Sequence, residues 1–197
     1  MTGDAETIAI YDAKADDYRQ MLKRTAPDKQ LSQFIDAVKP GGRVLDLGTG
    51  PGNSAGIMAA QGLVVEAWDL SQSMLDLARQ HTGVQTRQAG FGDLTATAHY
   101  EGIWANFSLL HAQRDAFGSH LAAIHRALRP GGAFHIGMKL GTGAERDKLG
   151  RYYTYYEQDE LTALLTEVGF TLNTTSLGRG SGLSDEVSPW MTILSNA

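Results

Sequence analysis

The sequence predicts an α/β chain built on a doubly wound, mainly parallel sheet of seven strands. Three observations carry that expectation. From residue 43 to about residue 138, short apolar runs alternate with amphipathic helical patterns, the mark of consecutive βαβ units. The first run, Val44-Leu45-Asp46-Leu47, passes straight into Gly48, Gly50 and Gly52, as where a buried strand turns sharply into a helix. The last two runs are joined by GRGSGLSDEVSP, which holds no helical period, so they should form an antiparallel pair. Right-handed crossovers between the parallel strands then place helices on both faces of an open sheet.

Each element follows from local pattern. Ile8, Tyr11, Ala15, Tyr18 and Leu22 recur at steps of three and four and form one face of an N-terminal helix. After Pro27, Leu31, Phe34, Ile35 and Val38 mark a second helix that Pro40-Gly41-Gly42 ends. The first strand spans about 43–48, and the helix after the glycines runs through Ile57 and Met58. The second strand is Leu63–Trp68. Ser71 reads as the N-cap of a helix carrying Met74, Leu75, Leu77 and Ala78. A third strand is expected at Val84–Ala89 and a fourth at about Gly102–Ser108. A helix over roughly 115–128 presents Phe117, Leu121, Ile124 and Leu128, and Pro130-Gly131-Gly132 breaks it before a fifth strand, Ala133–Met138. A long polar connection, GTGAERDKLGRYYTYYEQ, leads to a helix with Leu161, Leu164, Leu165 and Val168. Strands near Phe170–Leu177 and Trp190–Ser195 close the chain. Trp68, Trp104 and Trp190, all in strands, are expected to pack against helices, and Met74 and Met138 to sit in the core.

Composition narrows the function. The chain has 197 residues, 42% hydrophobic and 20% charged, enough for one domain with a substantial core. Its formal net charge of −5 offers no general attraction to nucleic acid or an anionic membrane. With no cysteine, disulfides, thiolate metal sites and cysteine nucleophiles are absent. The N-terminus is polar, and no stretch reaches the roughly 18 apolar residues of a membrane span, so a cytoplasmic location is expected. The six histidines form no plausible metal cluster in sequence; His120 and His125 read as a solvated helix surface and its edge.

The glycine turn points to a ligand, and three details narrow it. A dinucleotide fingerprint would place its third glycine where Asn53 stands, and no P-loop Lys-Ser/Thr pair follows. Asp46 precedes the turn, and a carboxylate in close contact with a phosphate costs on the order of 4 kcal/mol in a protein-like dielectric. It favours an ammonium or sulfonium group instead. Asp69 ends the second strand, beside the end of the first, where an acid can accept both hydroxyls of a ribose. Ribose hydroxyls, positive charge and no phosphate describe S-adenosylmethionine.

The chain resembles the class I S-adenosylmethionine-dependent methyltransferases over roughly residues 8–197. VLDLGTGPGN matches the family's first motif, Asp69 in AWDLS its ribose-binding acid, and Phe91-Gly92-Asp93-Leu94 the segment that holds adenine. LRPGGAFHIG, residues 128–137, matches the turn into the fifth strand. The resemblance implies the strand order 3-2-1-4-5-7-6 with the last strand antiparallel, and N-terminal helices that cover the cofactor. It divides residues 1–197 into a helical cap, 1–40, and a Rossmann-like core, 41–197. Tyr11-Asp12-Ala13-Lys14-Ala15-Asp16-Asp17-Tyr18 resembles the Tyr-Asp-x-x-Ala-x-x-Tyr signature of small methyltransferases, with Ala15 four residues after Tyr11 and three before Tyr18.

Carried over residue by residue, the resemblance implies that Gly48, Thr49, Gly50, Gly52 and Asn53 approach the methionine part. Asp46 supports its amino group, and Asp69 binds the ribose. Leu70 and Met74 line the adenine, and Gly92, Asp93 and Leu94 hold it, Asp93 accepting from its amine. Asn106 and Phe107 sit near the transferable methyl, and Tyr18 lies in the covering helix. Catalytic residues are less legible, because the sulfonium already carries a good leaving group and the protein mainly aligns and excludes water. His111 reads either as a substrate-facing acid–base group or as a structural histidine. Arg151 and Tyr152 read either as a recognition lid, Arg151 contacting an anionic acceptor, or as packing beneath the next helix.

Asn106 is followed by Phe107-Ser108-Leu109 and not by the Pro-Pro-aromatic sequence used on exocyclic amines of nucleic acid. No acidic cluster for metal-dependent catechol-type methylation is present. The expectation is methyl transfer by in-line displacement to a small-molecule acceptor, leaving S-adenosylhomocysteine, with no metal, no nucleic-acid or membrane partner, and a monomer or homodimer. Two alternatives stay open: a non-catalytic cofactor-binding protein on the same fold, and a nicotinamide-dependent oxidoreductase.

Overall fold

A computed structural model describes residues 3–21 and 25–197. Its centre is a seven-stranded sheet. Strands β1 (Arg43–Leu47), β2 (Val64–Asp69), β3 (Val84–Gln88), β4 (Tyr100–Asn106) and β5 (Leu128–Lys139) are mutually parallel, and β8 (Thr171–Ser181) and β9 (Val187–Asn196) complete it. The spatial order is β3-β2-β1-β4-β5-β9-β8, with β9 antiparallel to both neighbours. Counted within this sheet alone, that is the expected 3-2-1-4-5-7-6.

Period-two alternation sends side chains to two apolar layers. On β1, Val44 joins Phe34 and Met58 beneath helices α3 (Lys29–Ala37) and α4 (Asn53–Ala60). Leu45 and Leu47 join Phe117, Leu121 and Leu161 beneath α6 (Arg114–Ala127) and α7 (Gln158–Val168). A parallel sheet covered on both faces explains why its strands read as near-continuous apolar runs. Helix α5 (Gln72–Ala78) follows β2 and is capped by Ser71, whose Oγ accepts from Met74 N at 3.1 Å.

Five expectations need correction. The N-terminal pattern folds as two helices, α1 (Ala5–Ala13) and α2 (Ala15–Met21), broken at Lys14; Leu22 lies outside the described residues. Asp12 pins α1 onto α5 by accepting from Ser71 Oγ (2.6 Å) and Ser73 N (3.1 Å), so the chain bends before Tyr18. β4 stops at Asn106, two residues early, because Phe107 takes φ +54° and leaves the strand. β5 begins before Pro130-Gly131-Gly132: Leu128 already pairs with Tyr100, and the register shifts before Ala133 pairs with Gly102. The connection after β5 contains a hairpin, β6 (Ala144–Arg146) against β7 (Tyr152–Thr154). Trp190 lies over Gly178, where an added Cβ would meet its ring at 2.2 Å, and it meets a strand there and not a helix.

Candidate active site

The end of β1 sets the site. Gly48 takes φ +79°, and a Cβ there would lie 2.3 Å from Ser108 Cβ, so only glycine fits. The turn is bound to β2: the N–H groups of Gly48 and Thr49 both donate to Trp68 O, at 2.8 and 2.9 Å. Gly50 N donates to Asp69 Oδ2 at 2.8 Å, and Thr49 Oγ1 to Asp46 Oδ2 at 2.8 Å. The donors that would cradle a phosphate are spent inside the protein, and two carboxylates flank the turn. His81 Nε2, 3.1 Å from Pro51 O, anchors it from the segment after α5.

Asp69 also accepts from Ser71 N through Oδ1, at 2.9 Å. Burial pushes its carboxyl above the usual carboxylate range, and the backbone N–H groups of Ser71 and Gly50 oppose that rise. Each oxygen of a carboxylate has two acceptor positions. The N–H groups of Gly50, Ser71 and Leu70 take up part of this capacity, and the remainder can accept a ligand hydroxyl.

These groups line a cavity of about 830 Å³. That is near the upper end for small-molecule sites, room for more than one small ligand. Asp69, Leu70, Met74 and Gly90 form one end, and Asp46, Gly48, Thr49, Gly50 and Asn53 the middle. Asn106, Phe107 and His111 form the other, His120 lies beside Phe91, next to Gly90, and Tyr11 and Tyr18 from α1 and α2 complete the lining. Among the described lining residues the charged side chains are Asp4, Asp46 and Asp69, with no Lys or Arg. No group of three or more His, Cys, Asp or Glu among the described residues could hold a metal, and none of their helices is long and apolar enough to cross a membrane.

His111 sits in a fixed network. Its Nδ1 lies 2.6 Å from Tyr152 O, and a carbonyl only accepts, so Nδ1 carries the proton. Nε2 is therefore the acceptor, and it takes the Tyr11 hydroxyl at 2.9 Å. Tyr11 Oη in turn accepts from Arg151 Nη1 at 3.1 Å, and Arg151 pairs with Asp147 at 2.6 Å, each side chain only 2% exposed. Burial brings His111 down to about 4, aided by the nearby Arg151 charge and opposed by the Tyr152 carbonyl. It is neutral at neutral pH. Thr7 Oγ1 accepts from Tyr152 N at 2.8 Å, and Arg146 pairs with Asp4, so α1 is tied to the hairpin at several points.

The structure brings most expected site residues to the cavity: Tyr18, Asp46, Gly48, Thr49, Gly50, Asn53, Asp69, Leu70, Met74, Asn106, Phe107 and His111 line it. It does not bring the rest. Gly52 packs under α5, with Ala78 Cα 2.7 Å from a hypothetical Cβ. Asp93 turns back to accept from Gly90 N at 2.8 Å, Gly92 lies in the same short turn, and Leu94 is buried in the core; Ala89, Gly90 and Phe91 line the wall instead. Arg151 is committed to Asp147 and Tyr11 and offers no free charge to an anion. Tyr152 contributes its carbonyl to His111, while its ring lies beside Arg146.

Sequence reasoning missed Ser108, whose Oγ donates to Leu47 O at 2.6 Å, and His120, which faces the cavity beside Phe91. The α6 spacing placed His120 three residues from buried Phe117 and could have flagged it.

Comparison with known proteins agrees with this geometry. A family model described as a methyltransferase domain matches residues 44–132. A trans-aconitate 2-methyltransferase of Mycolicibacterium gilvum is 35% identical over 88 residues, 44% of this chain and 34% of that protein. The chain thus matches about a third of that relative's length. Burkholderia thailandensis 1,6-didemethyltoxoflavin-N1-methyltransferase, crystallised with 1,6-didemethyltoxoflavin and S-adenosylhomocysteine, is similar in fold at TM-score 0.75 and 23% identity, over 98% of this chain and 87% of that one. The [4+2]-cyclase SpnF is similar in fold at TM-score 0.69 and 15% identity, over 84% of this chain and 79% of that one. The chain thus carries a methyltransferase-domain match over residues 44–132 and has the fold of S-adenosylmethionine-dependent methyltransferases.

Proposed function

We propose that this chain transfers a methyl group from S-adenosylmethionine to a small-molecule acceptor by in-line displacement. The observation that carries the reading is the continuity of the cavity, from the Asp69 carboxylate past the glycine turn to the chamber under Tyr11 and Tyr18. The residues present suit the cofactor. Asp69 keeps acceptor positions for ribose hydroxyls, Leu70 and Met74 offer apolar surface to adenine, and Asp46 with Thr49 offers negative charge to an amino group. When bound, the cofactor supplies an electrophilic methyl on a good leaving group. The chain aligns the acceptor with it and keeps water out beneath α1 and α2. His111 Nε2 is the base available to an acceptor that must lose a proton, exchanging the Tyr11 hydroxyl for the acceptor's donor group. In this reading residues 1–40 are a cap on the core of 41–197, one catalytic unit.

A second reading is favoured by the similarity to a [4+2]-cyclase, which has this fold and a different reaction in its name. The cofactor would then bind without losing its methyl. Calorimetry with S-adenosylmethionine and S-adenosylhomocysteine tests both readings. Binding of each is expected, and binding of neither refutes them together. Label from the methyl group then separates them, appearing in an acceptor under the first reading only.

A further inference from the structure

The cavity end farthest from Asp69 is the tip of β4, because β1 stands between β2 and β4 in the sheet. Asn106 sits at that tip and lines the cavity. Its amide has a partner in the sheet: His135 Nε2, on β5, is 3.0 Å from Asn106 Oδ1. An amide oxygen only accepts, so the ring donates and Nε2 carries the proton. His135 is 2% exposed and stacks on Trp104, its register partner, with ring centroids 3.7 Å apart and planes 14° apart. The ring cannot turn without disturbing that stack. Gly137, register partner of Asn106, leaves the space this requires; a Cβ there would stand 2.6 Å from Asn106 Oδ1 and 3.1 Å from Phe107 N. Phe107 N donates to Gly137 O at 3.0 Å and holds the ring of Phe107 at the cavity wall.

The amide oxygen of Asn106 is thus fixed on the protein side, and its NH₂ group is the face left for a ligand. That group is a donor of two hydrogen bonds and accepts none. A carbonyl oxygen or a bare ring nitrogen fits it. No Lys or Arg among the described lining residues offers an anion a cationic partner. The aromatic side chains of Phe107, Tyr11 and Tyr18 suit a flat ring.

We propose that Asn106 recognises the acceptor, that His135 is the positioning residue that sets the direction of its amide, and that the acceptor is an uncharged planar heterocycle with a carbonyl or bare ring nitrogen. This rests on the reading that the cavity holds S-adenosylmethionine and an acceptor together.

The test uses full-length protein saturated with S-adenosylhomocysteine and four probes: 2-quinolinone, indole, quinoline-2-carboxylate and 2-aminoquinoline. Affinities come from calorimetry, with competition by ligand-observed NMR for the weak binders. 2-Quinolinone should bind about tenfold tighter than indole, the size of one well-made hydrogen bond, and tighter than the carboxylate. Asn106→Ala and His135→Leu should abolish that preference in protein saturated with S-adenosylhomocysteine. His135→Gln, which keeps an N–H donor, should retain it. Asn106→Asp should invert it toward 2-aminoquinoline, because the side chain then only accepts. If His135→Leu fails to fold, Asn106→Ala and Asn106→Asp decide alone. A stronger carboxylate, absence of binding by 2-quinolinone, or a preference unchanged in Asn106→Ala overturns the inference while leaving the cofactor reading intact. Failure of S-adenosylhomocysteine to bind wild-type protein overturns the cofactor reading instead.

Discussion

Protonating His111 should loosen the cap, and the cost follows from its surroundings. A free histidine titrates near 6.5, whereas burial brings His111 down to about 4. Between those values the unfolded chain binds a proton that the folded chain refuses. Stability therefore rises with pH across this window: the contribution is fully present above about 6.5 and lost as pH falls toward 4. From pH 7 to pH 5 the loss is about 2 kcal/mol. The structural reason is local. A protonated Nε2 presents a second donor to Tyr11 Oη, which already accepts from Arg151, and the Tyr11 O–H loses its acceptor. Urea unfolding of wild type and His111→Gln at several pH values from 7 to 5 isolates this group, because His135 and the carboxylates titrate in both proteins. Wild type should lose about 2 kcal/mol more than the variant over that span. Hydrogen exchange in Ala5–Ala13, corrected for its intrinsic pH dependence, should rise in parallel. Equal pH slopes for the two proteins would show that His111 is not held neutral by the fold, and the network argument would fail with it.

Other perturbations separate binding from stability. Asp69→Ala should weaken S-adenosylhomocysteine about ten- to hundredfold by calorimetry, the worth of hydrogen bonds to a charged acceptor. NADH should show no fluorescence change with wild type, and saturable binding would restore the oxidoreductase alternative. Asp147→Asn should cost about 3–5 kcal/mol in urea unfolding, because it leaves the buried Arg151 charge without its carboxylate. Gly48→Ala should cost roughly 1–3 kcal/mol for its positive φ alone. Adding Ser108→Gly should relieve the side-chain clash but not that backbone cost.

The parallel sheet was legible because its strands are buried on both faces, and the alternation of apolar runs with helical periods survives as local pattern. Boundaries were less legible where tertiary contacts decide them. β4 ends at Asn106 because Phe107 must turn back toward Gly137, a partner 30 residues away. The N-terminal helix breaks because Asp12 is engaged by Ser71 and Ser73 of another helix. The β6–β7 hairpin pairs only three residues per strand, too few for a period to show. In the site, Asp46 and Asp69 could be read because each adjoins a strand end and a glycine turn. Asp93 is less legible: Gly-Asp after a strand is also ordinary turn chemistry, and here its carboxylate accepts from Gly90 N within that turn. Arg151 reads in sequence as a free cation, and nothing local shows that Asp147 neutralises it within the same hairpin.

The two halves of the cavity differ in how their polar groups are held, and this bears on what evolution can vary. At the Asp69 end the contacts are made by backbone of the turn and by carboxylates bonded to that backbone, so few substitutions are tolerated without disturbing β1 and β2. At the β4 end side chains are held largely by other side chains: Asn106 by His135, and His111 by Tyr11 and, through it, Arg151, together with the Tyr152 carbonyl. Changing one such partner reorients a donor or a base while the sheet stays intact. A fold shared by a methyltransferase and a cyclase fits chemistry set by such exchangeable side chains.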